Sequence, residues 1–229
     1  MKTSFASGIL DFYSTLEVPV NLPVGVASLY PFSDKAVWDL NETFYNRFYS
    51  DKKSRTFLIG INPGRLGAGV TGIPFTDPVR LENVLNIKND FQKKAELSSK
   101  FIFDVIESAG GSDTFFSNFY ITSVSPIGFV KEGKNLNYYD QKDLEKALEG
   151  YIIDNLWKQI NMLESNRGVA FCLGMGKNYK YLNKLNEKEG FFKEIIPLPH
   201  PRWVMQYRLK RKEEFILAYQ KLILAEIRN

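Results

Sequence analysis

The sequence predicts an α/β fold, a three-layer αβα sandwich around a central four-stranded, mainly parallel sheet. Two observations carry the prediction. Short apolar runs rich in β-branched and aromatic residues, Thr56 to Ile61, Phe115 to Ser123, Gly168 to Leu173 and Phe192 to Leu198, each end abruptly in polar, Gly or Pro residues. Between them lie longer stretches with apolar residues at helical spacing, and strands alternating with helices imply crossover connections and a parallel sheet covered on both faces. All four strand ends are then expected on one edge. With 229 residues, 44% of them hydrophobic, the chain has enough apolar material for a sizeable core. The expectation is a single domain over 1–229, with 1–50 as a helical lead-in packed on it.

Taken in order, Phe5, Ile9, Phe12 and Leu16 share one helical face, so Phe5 to Leu16 reads as a short amphipathic helix. Pro19, Pro23 and Pro31 then mark an extended connector. From Asp34 to Tyr49 a second helix is expected behind a Ser33 or Asp34 cap, its aromatic stripe reading as core. Asp51 to Arg55 is a polar turn into the first strand. Asp77 to Leu97 reads as loop followed by helix, and Lys100 to Ala109 as a helix stopped by Gly110-Gly111. Tyr138 to Glu164 carries Leu144, Leu148, Ile152, Leu156, Ile160 and Leu163 behind an Asp140 cap and is the clearest helix in the chain. Glu213 to Ile227 closes it with another amphipathic segment.

Composition excludes several classes. The formal charge is only +4, so the distribution of basic residues matters more than their sum. One cysteine, Cys172, rules out an intramolecular disulfide, fits a reducing compartment and reads as a core thiol. No run approaches the roughly 20 apolar residues of a membrane span, and no leader pattern opens the chain. A soluble, intracellular protein, by default a monomer, is expected. No spacing of His and Cys suits zinc.

Candidate chemistry sits at the strand ends. In open α/β sheets, ligands bind beyond the carboxyl ends of the strands, which places Asn62, after the Thr56 to Ile61 run, toward a site. Pro63 stiffens the exit, and Gly64 and Gly67 allow close backbone approach, although the same residue types also make ordinary turns. Gly174-Met175-Gly176-Lys177 opens a basic helix that can cradle a phosphate or simply pack tightly. His200, the only histidine, stands between Pro199 and Pro201 after the fourth strand. Behind it, Arg202, Arg208, Lys210, Arg211 and Lys212 interleave with Trp203, Met205 and Tyr207. That composition suits phosphate contacts and an apolar wedge between bases, and equally a solvated helix start.

Together, Gly60-Ile61-Asn62-Pro63-Gly64-Arg65-Leu66-Gly67, Thr71-Gly72-Ile73-Pro74-Phe75 and His200-Pro201-Arg202 resemble the two signature motifs of the uracil-DNA glycosylase superfamily, and most closely its single-strand-selective monofunctional branch. The resemblance implies a uracil-DNA glycosylase-like fold and excision of uracil or a related damaged base from DNA in base excision repair, with no metal or other cofactor. It implies that Asn62 orients the attacking water and that His200 donates to the base O2 as charge develops. It further implies that Phe75 stacks on the extruded base, Gly64 leaves room at the pyrimidine edge, and Ile61 and Ser123 complete the base pocket. Ser123 stands where the family has an Asn that reads the uracil edge, so other deaminated or oxidised bases also become candidates. This chain has Leu-Pro-His-Pro-Arg in place of the usual His-Pro-Ser-Pro-Arg. The segment after His200 corresponds to the loop that enters the duplex, which makes Arg202, Trp203, Gln206, Tyr207, Arg208, Lys210 and Arg211 the DNA-binding candidates. Two other readings are a catalytically weak nucleic-acid-binding module and a hydrolase of free nucleotides that uses the Gly174 turn.

Overall fold

The structure, a computed structural model, describes residues 4–163 and 166–227. Helix α1 (Phe5–Ser14) begins with a reciprocal cap, the Ser4 hydroxyl accepting from Ser7 N–H while the Ser7 hydroxyl accepts from Ser4 N–H. Phe5, Ile9 and Phe12 are buried on its face as predicted, while Leu16 is buried just past its end, the helix stopping two residues earlier than expected. The proline-marked connector holds a short strand, β1 (Val26–Leu29), and a 3-10 turn at Pro31–Ser33. Helix α2 (Lys35–Phe48) is capped by Asp34 and buries Val37, Leu40, Phe44 and Phe48, so its aromatic stripe is core.

The polar turn before the first strand departs from expectation at Arg55, whose side chain is fully buried. Its guanidinium lies 4.7 Å from the Phe5 ring centroid and 5.2 Å from that of Tyr49, and it donates to Asp51 and to the carbonyls of Lys53 and Phe116. A charge this buried persists because it is paired and hydrogen-bonded. Strand β2 (Thr56–Gly60) follows and is buried throughout, then the short helix α3 (Ala68–Thr71).

Between Asp77 and Leu97 the predicted order is reversed, because α4 (Pro78–Asn83) comes first and irregular chain follows. Asp77 caps the Arg80 N–H and Pro78 occupies the first turn, where its missing N–H costs nothing. Helix α5 (Leu97–Ser108) ends at the glycines, yet Gly111 opens α6 (Gly111–Asn118). Phe115 to Asn118 is therefore helix, and the strand β3 is shorter than predicted (Phe119–Ser123). An apolar pair such as Phe115-Phe116 fits either periodicity; packing decides, with Phe116 lying 5.3 Å from Phe44 and 4.8 Å from Phe48.

A second, antiparallel sheet was not predicted. It joins β1 to the hairpin of β4 (Gly128–Lys131) and β5 (Lys134–Leu136), in the order β1-β4-β5. Helix α7 (Lys142–Leu163) starts four residues after Tyr138, because the Tyr138 N–H is drawn to Asn62 and Asp140 accepts from Asn137 N–H instead of capping the helix. Glu164, expected as its last residue, lies outside the described residues. Strand β6 (Val169–Leu173), helix α8 (Lys177–Glu189), strand β7 (Glu194–Leu198), helix α9 (Pro201–Tyr207) and helix α10 (Lys212–Ile227) complete the chain.

The main sheet runs β3-β2-β6-β7, with every neighbouring pair parallel. Alternate residues of β3 face opposite layers. Tyr120 and Thr122 donate to Gln159 of α7, while Phe119 packs against Phe115 of α6. Cys172 is a buried core thiol, pushed up by burial to a pKa of about 12. Among the described residues no helix is long and apolar enough to cross a membrane.

Candidate active site

The carboxyl ends of β2, β3, β6 and β7 converge as predicted, and a cleft of about 1020 Å³ opens there. It is lined by Ile61, Asn62, Gly64, Phe75, Ser123, His200, Arg202, Trp203, Gln206 and Tyr207, so ten of the residues singled out from sequence come together. Arg208, Lys210 and Arg211 are not among its lining residues.

Asn62 leaves the central strand β2 into a loop held from one side by the second sheet. Gly128, at the start of β4, packs so closely on this loop that a Cβ there would lie 2.2 Å from the Pro63 carbonyl oxygen. Only glycine permits that approach. The half-buried Asn62 amide is fixed at both ends. Its Oδ1 accepts from Tyr138 N–H at 3.1 Å, and its Nδ2 donates to the carbonyls of Leu136 at 3.2 Å and Pro63 at 3.3 Å. One lone pair of Oδ1 remains for a solvent proton.

The Thr71 to Phe75 turn is braced from within. Thr71 Oγ1 donates to the Thr76 carbonyl at 2.7 Å and accepts from Ile73 N–H at 3.2 Å, while buried Asn41 donates to the Thr71 carbonyl at 2.7 Å. The turn forces Phe75 into the left-handed region, φ 54°, a conformation that costs a bulky residue about 1–3 kcal/mol. Its ring lies over Gly60, where an added Cβ would come within 2.6 Å of Cε2. The ring centroid stands 6.1 Å from that of His200. Ser123 pairs with Gly60 across the β2–β3 ladder, and its hydroxyl makes no hydrogen bond among the described residues.

His200 precedes α9. Its Nδ1 accepts from Arg202 N–H at 3.1 Å, which leaves the proton of the neutral ring on Nε2. Burial, followed by the neighbouring Arg202 charge, lowers its pKa to about 4. The imidazole is therefore neutral at pH 7 and can donate but not readily protonate.

Helix α9 and the 3-10 turn after it (Leu209–Arg211) carry the predicted DNA-contacting residues with different freedom. Trp203 is held, its ring centroid 5.8 Å from Phe215 with Arg208 Cζ 4.8 Å over it. Tyr207 is free to project, at 66% exposure. Arg211 is engaged by Glu214 at 2.8 Å.

Several residues in or beneath the cleft were given no role from sequence. Gly60 makes room for Phe75, and a glycine closing a β-branched run was the available signal. Asn135, whose Oδ1 accepts from Arg65 N–H at 3.1 Å, comes from the unpredicted hairpin. Glu96 caps α5 through Ser99 N–H, and burial raises its carboxyl pKa. Asn178 closes the Gly174 turn but was given no role from sequence, and Tyr138, fully buried beneath the cleft, was read only as the start of a helix.

The parallel sheet and a cleft with polar residues across its carboxyl edge define an α/β fold with its ligand site at the strand ends. The chain belongs to the uracil DNA glycosylase superfamily, whose family model matches residues 47–223. The crystal structure of wild-type Pedobacter heparinus SMUG2 is similar to it over 100% of both chains, at 40% sequence identity and a TM-score of 0.96. The uracil-DNA glycosylase-like fold read from the motifs is thus the observed one. Membership of the superfamily supports uracil DNA glycosylase activity in general, with DNA as substrate.

Proposed function

We propose that this chain is a monofunctional DNA glycosylase that hydrolyses the N-glycosidic bond of uracil or a related damaged base flipped out of DNA. Residues 1–229 act as one domain and as a monomer. The observation that carries this reading is the convergence of Asn62, Phe75, Ser123 and the neutral His200 in one cleft. Breaking the bond develops positive charge on the sugar and negative charge on the departing base. Asn62, its Nδ2 tied to two carbonyls, presents an oxygen that orients a water beneath C1′. His200 donates its Nε2 proton to the base O2, a role a neutral imidazole fills. Phe75 stacks on the extruded base, and Ile61 and Gly64 border it. Flipping costs a few kcal/mol, least for a damaged or single-stranded base.

The test is base release from matched oligonucleotides, single-stranded and duplex, carrying one uracil, xanthine, hypoxanthine or 5-hydroxymethyluracil. Release of uracil is expected, with strand scission only after alkali, because none of the motif segments around Asn62, Phe75 and His200 carries a lysine for Schiff-base chemistry. The Ser123 hydroxyl reads a base edge less strictly than an amide, so at least one further base is expected to be released. DNA binding with no release from any substrate would transfer the assignment to a nucleic-acid-binding module.

Among the basic residues, the cleft separates Arg202, which lines it, from Arg211, which pairs with Glu214. Arg202→Ala is expected to weaken binding and reduce the slope of log K against log salt by about one ion. Arg211→Ala is expected to leave the slope unchanged. Equal slopes for the two variants, measured by fluorescence anisotropy, would remove Arg202 from the phosphate contacts.

A further inference from the structure

Two of the three groups that hold Asn62, the Leu136 carbonyl and the Tyr138 N–H, come from a segment no motif marks. Its Oδ1 is met by the backbone N–H of Tyr138, in the turn after β5. Tyr138 is fully buried, and its hydroxyl donates to Asn178 Oδ1 at 2.8 Å. Its ring packs 4.9 Å from that of Tyr181 on α8.

Asn178, also buried, sits in the first turn of α8. Its Nδ2 lies 3.4 Å from the Gly60 carbonyl and 3.3 Å from the Leu173 carbonyl, at the ends of β2 and β6. The amide cannot turn over, because its oxygen would then face two carbonyl oxygens and its NH2 would displace the Tyr138 proton. One chain of hydrogen bonds therefore runs from two sheet strands through Asn178 and Tyr138 to Asn62.

We infer that Tyr138 and Asn178 are positioning residues for base excision: they fix the height of the Tyr138 N–H and so decide which lone pair of Asn62 Oδ1 stays open to the attacking water. The inference rests on the proposed role of Asn62. A group that orients a nucleophile is sensitive to shifts of an ångström or less. Tyr138→Phe removes one hydroxyl, keeps the ring packing and leaves Asn178 Oδ1 without its donor.

The experiment is a double-mutant cycle in single-turnover base release from a uracil oligonucleotide, with binding measured alongside. Tyr138→Phe is expected to slow release about tenfold in the wild-type background, with the dissociation constant unchanged within about twofold. In the Asn62→Ala background it is expected to cause no further loss. Asn178→Asp keeps an acceptor for Tyr138 but removes the donor that anchors it, so the same non-additive pattern is expected.

Equal slowing in both backgrounds would show that the pair acts through general stability and would overturn the inference. So would an unchanged wild-type rate in the folded Tyr138→Phe and Asn178→Asp proteins. An Asn62→Ala protein that releases base at the wild-type rate would instead refute the role of Asn62 itself, and the positioning role with it.

Discussion

Asn62→Ala is expected to slow base release on the order of 10²- to 10³-fold under single-turnover conditions, while DNA affinity changes about twofold or less. The split follows from where the residue sits. Its amide is half-buried and saturated by the Tyr138 N–H and the Leu136 and Pro63 carbonyls, leaving only one lone pair for a reactant. Such a group contributes to the reaction step and little to ground-state binding. Truncation also removes the side-chain partner of the Tyr138 N–H and of the Pro63 carbonyl, a cost of about 1–3 kcal/mol for any such group cut off from water, so melting curves must accompany the kinetics. Asn62→Asp supplies the control. Its second carboxylate oxygen would face the two carbonyl oxygens that Nδ2 now satisfies, which opposes ionisation. The aspartate variant is therefore expected to regain activity as pH rises rather than to exceed the wild type. Retention of full activity by the folded alanine variant would exclude Asn62 from the chemistry.

The main sheet was legible because its strands are apolar, bounded by Gly and Pro, and separated by helices of clear period. Part of the candidate site was legible because Asn62, Ser123 and His200 stand directly at strand ends, where topology brings them together; Phe75, in the turn after α3, was marked only by the resemblance of the motif. What supports them was not. Strands β4 and β5 have four and three residues, too few for alternation to register. Tyr138 lies within a stretch whose periodicity continues into α7, and only the Asn62 side chain, 76 residues earlier, draws its N–H out of the helix. The Tyr138–Asn178 bond spans 40 residues, and local patterning carries no trace of such pairs. Arg55 illustrates the same limit. Its sequence neighbours are polar, yet the aromatic rings of α1 and the end of α2 bury it.

His200 yields the other large effect. His200→Ala is expected to reduce base release on the order of 10²-fold, again mainly in the rate rather than in affinity. The wild-type rate is expected to stay flat from about pH 5.5 to 8.5 and to fall only toward pH 4. The physical reason is the environment of the ring. Burial and Arg202 hold the pKa at about 4, and Nδ1 is already an acceptor for Arg202 N–H, so protonation must break that bond at the start of α9. The same shift sets a stability term. The unfolded chain binds this proton near pH 6.5 and the folded chain only near 4, so stability is full above 6.5 and is lost as pH falls through that window. The loss approaches roughly 3 kcal/mol below it. His200→Ala removes the titrating group, so the stability gap between wild type and variant should shift in the variant's favour between pH 6.5 and 4. An activity profile with a midpoint near 6.5 would mean that His200 titrates as an ordinary surface histidine, and the neutral-donor role would fall with it.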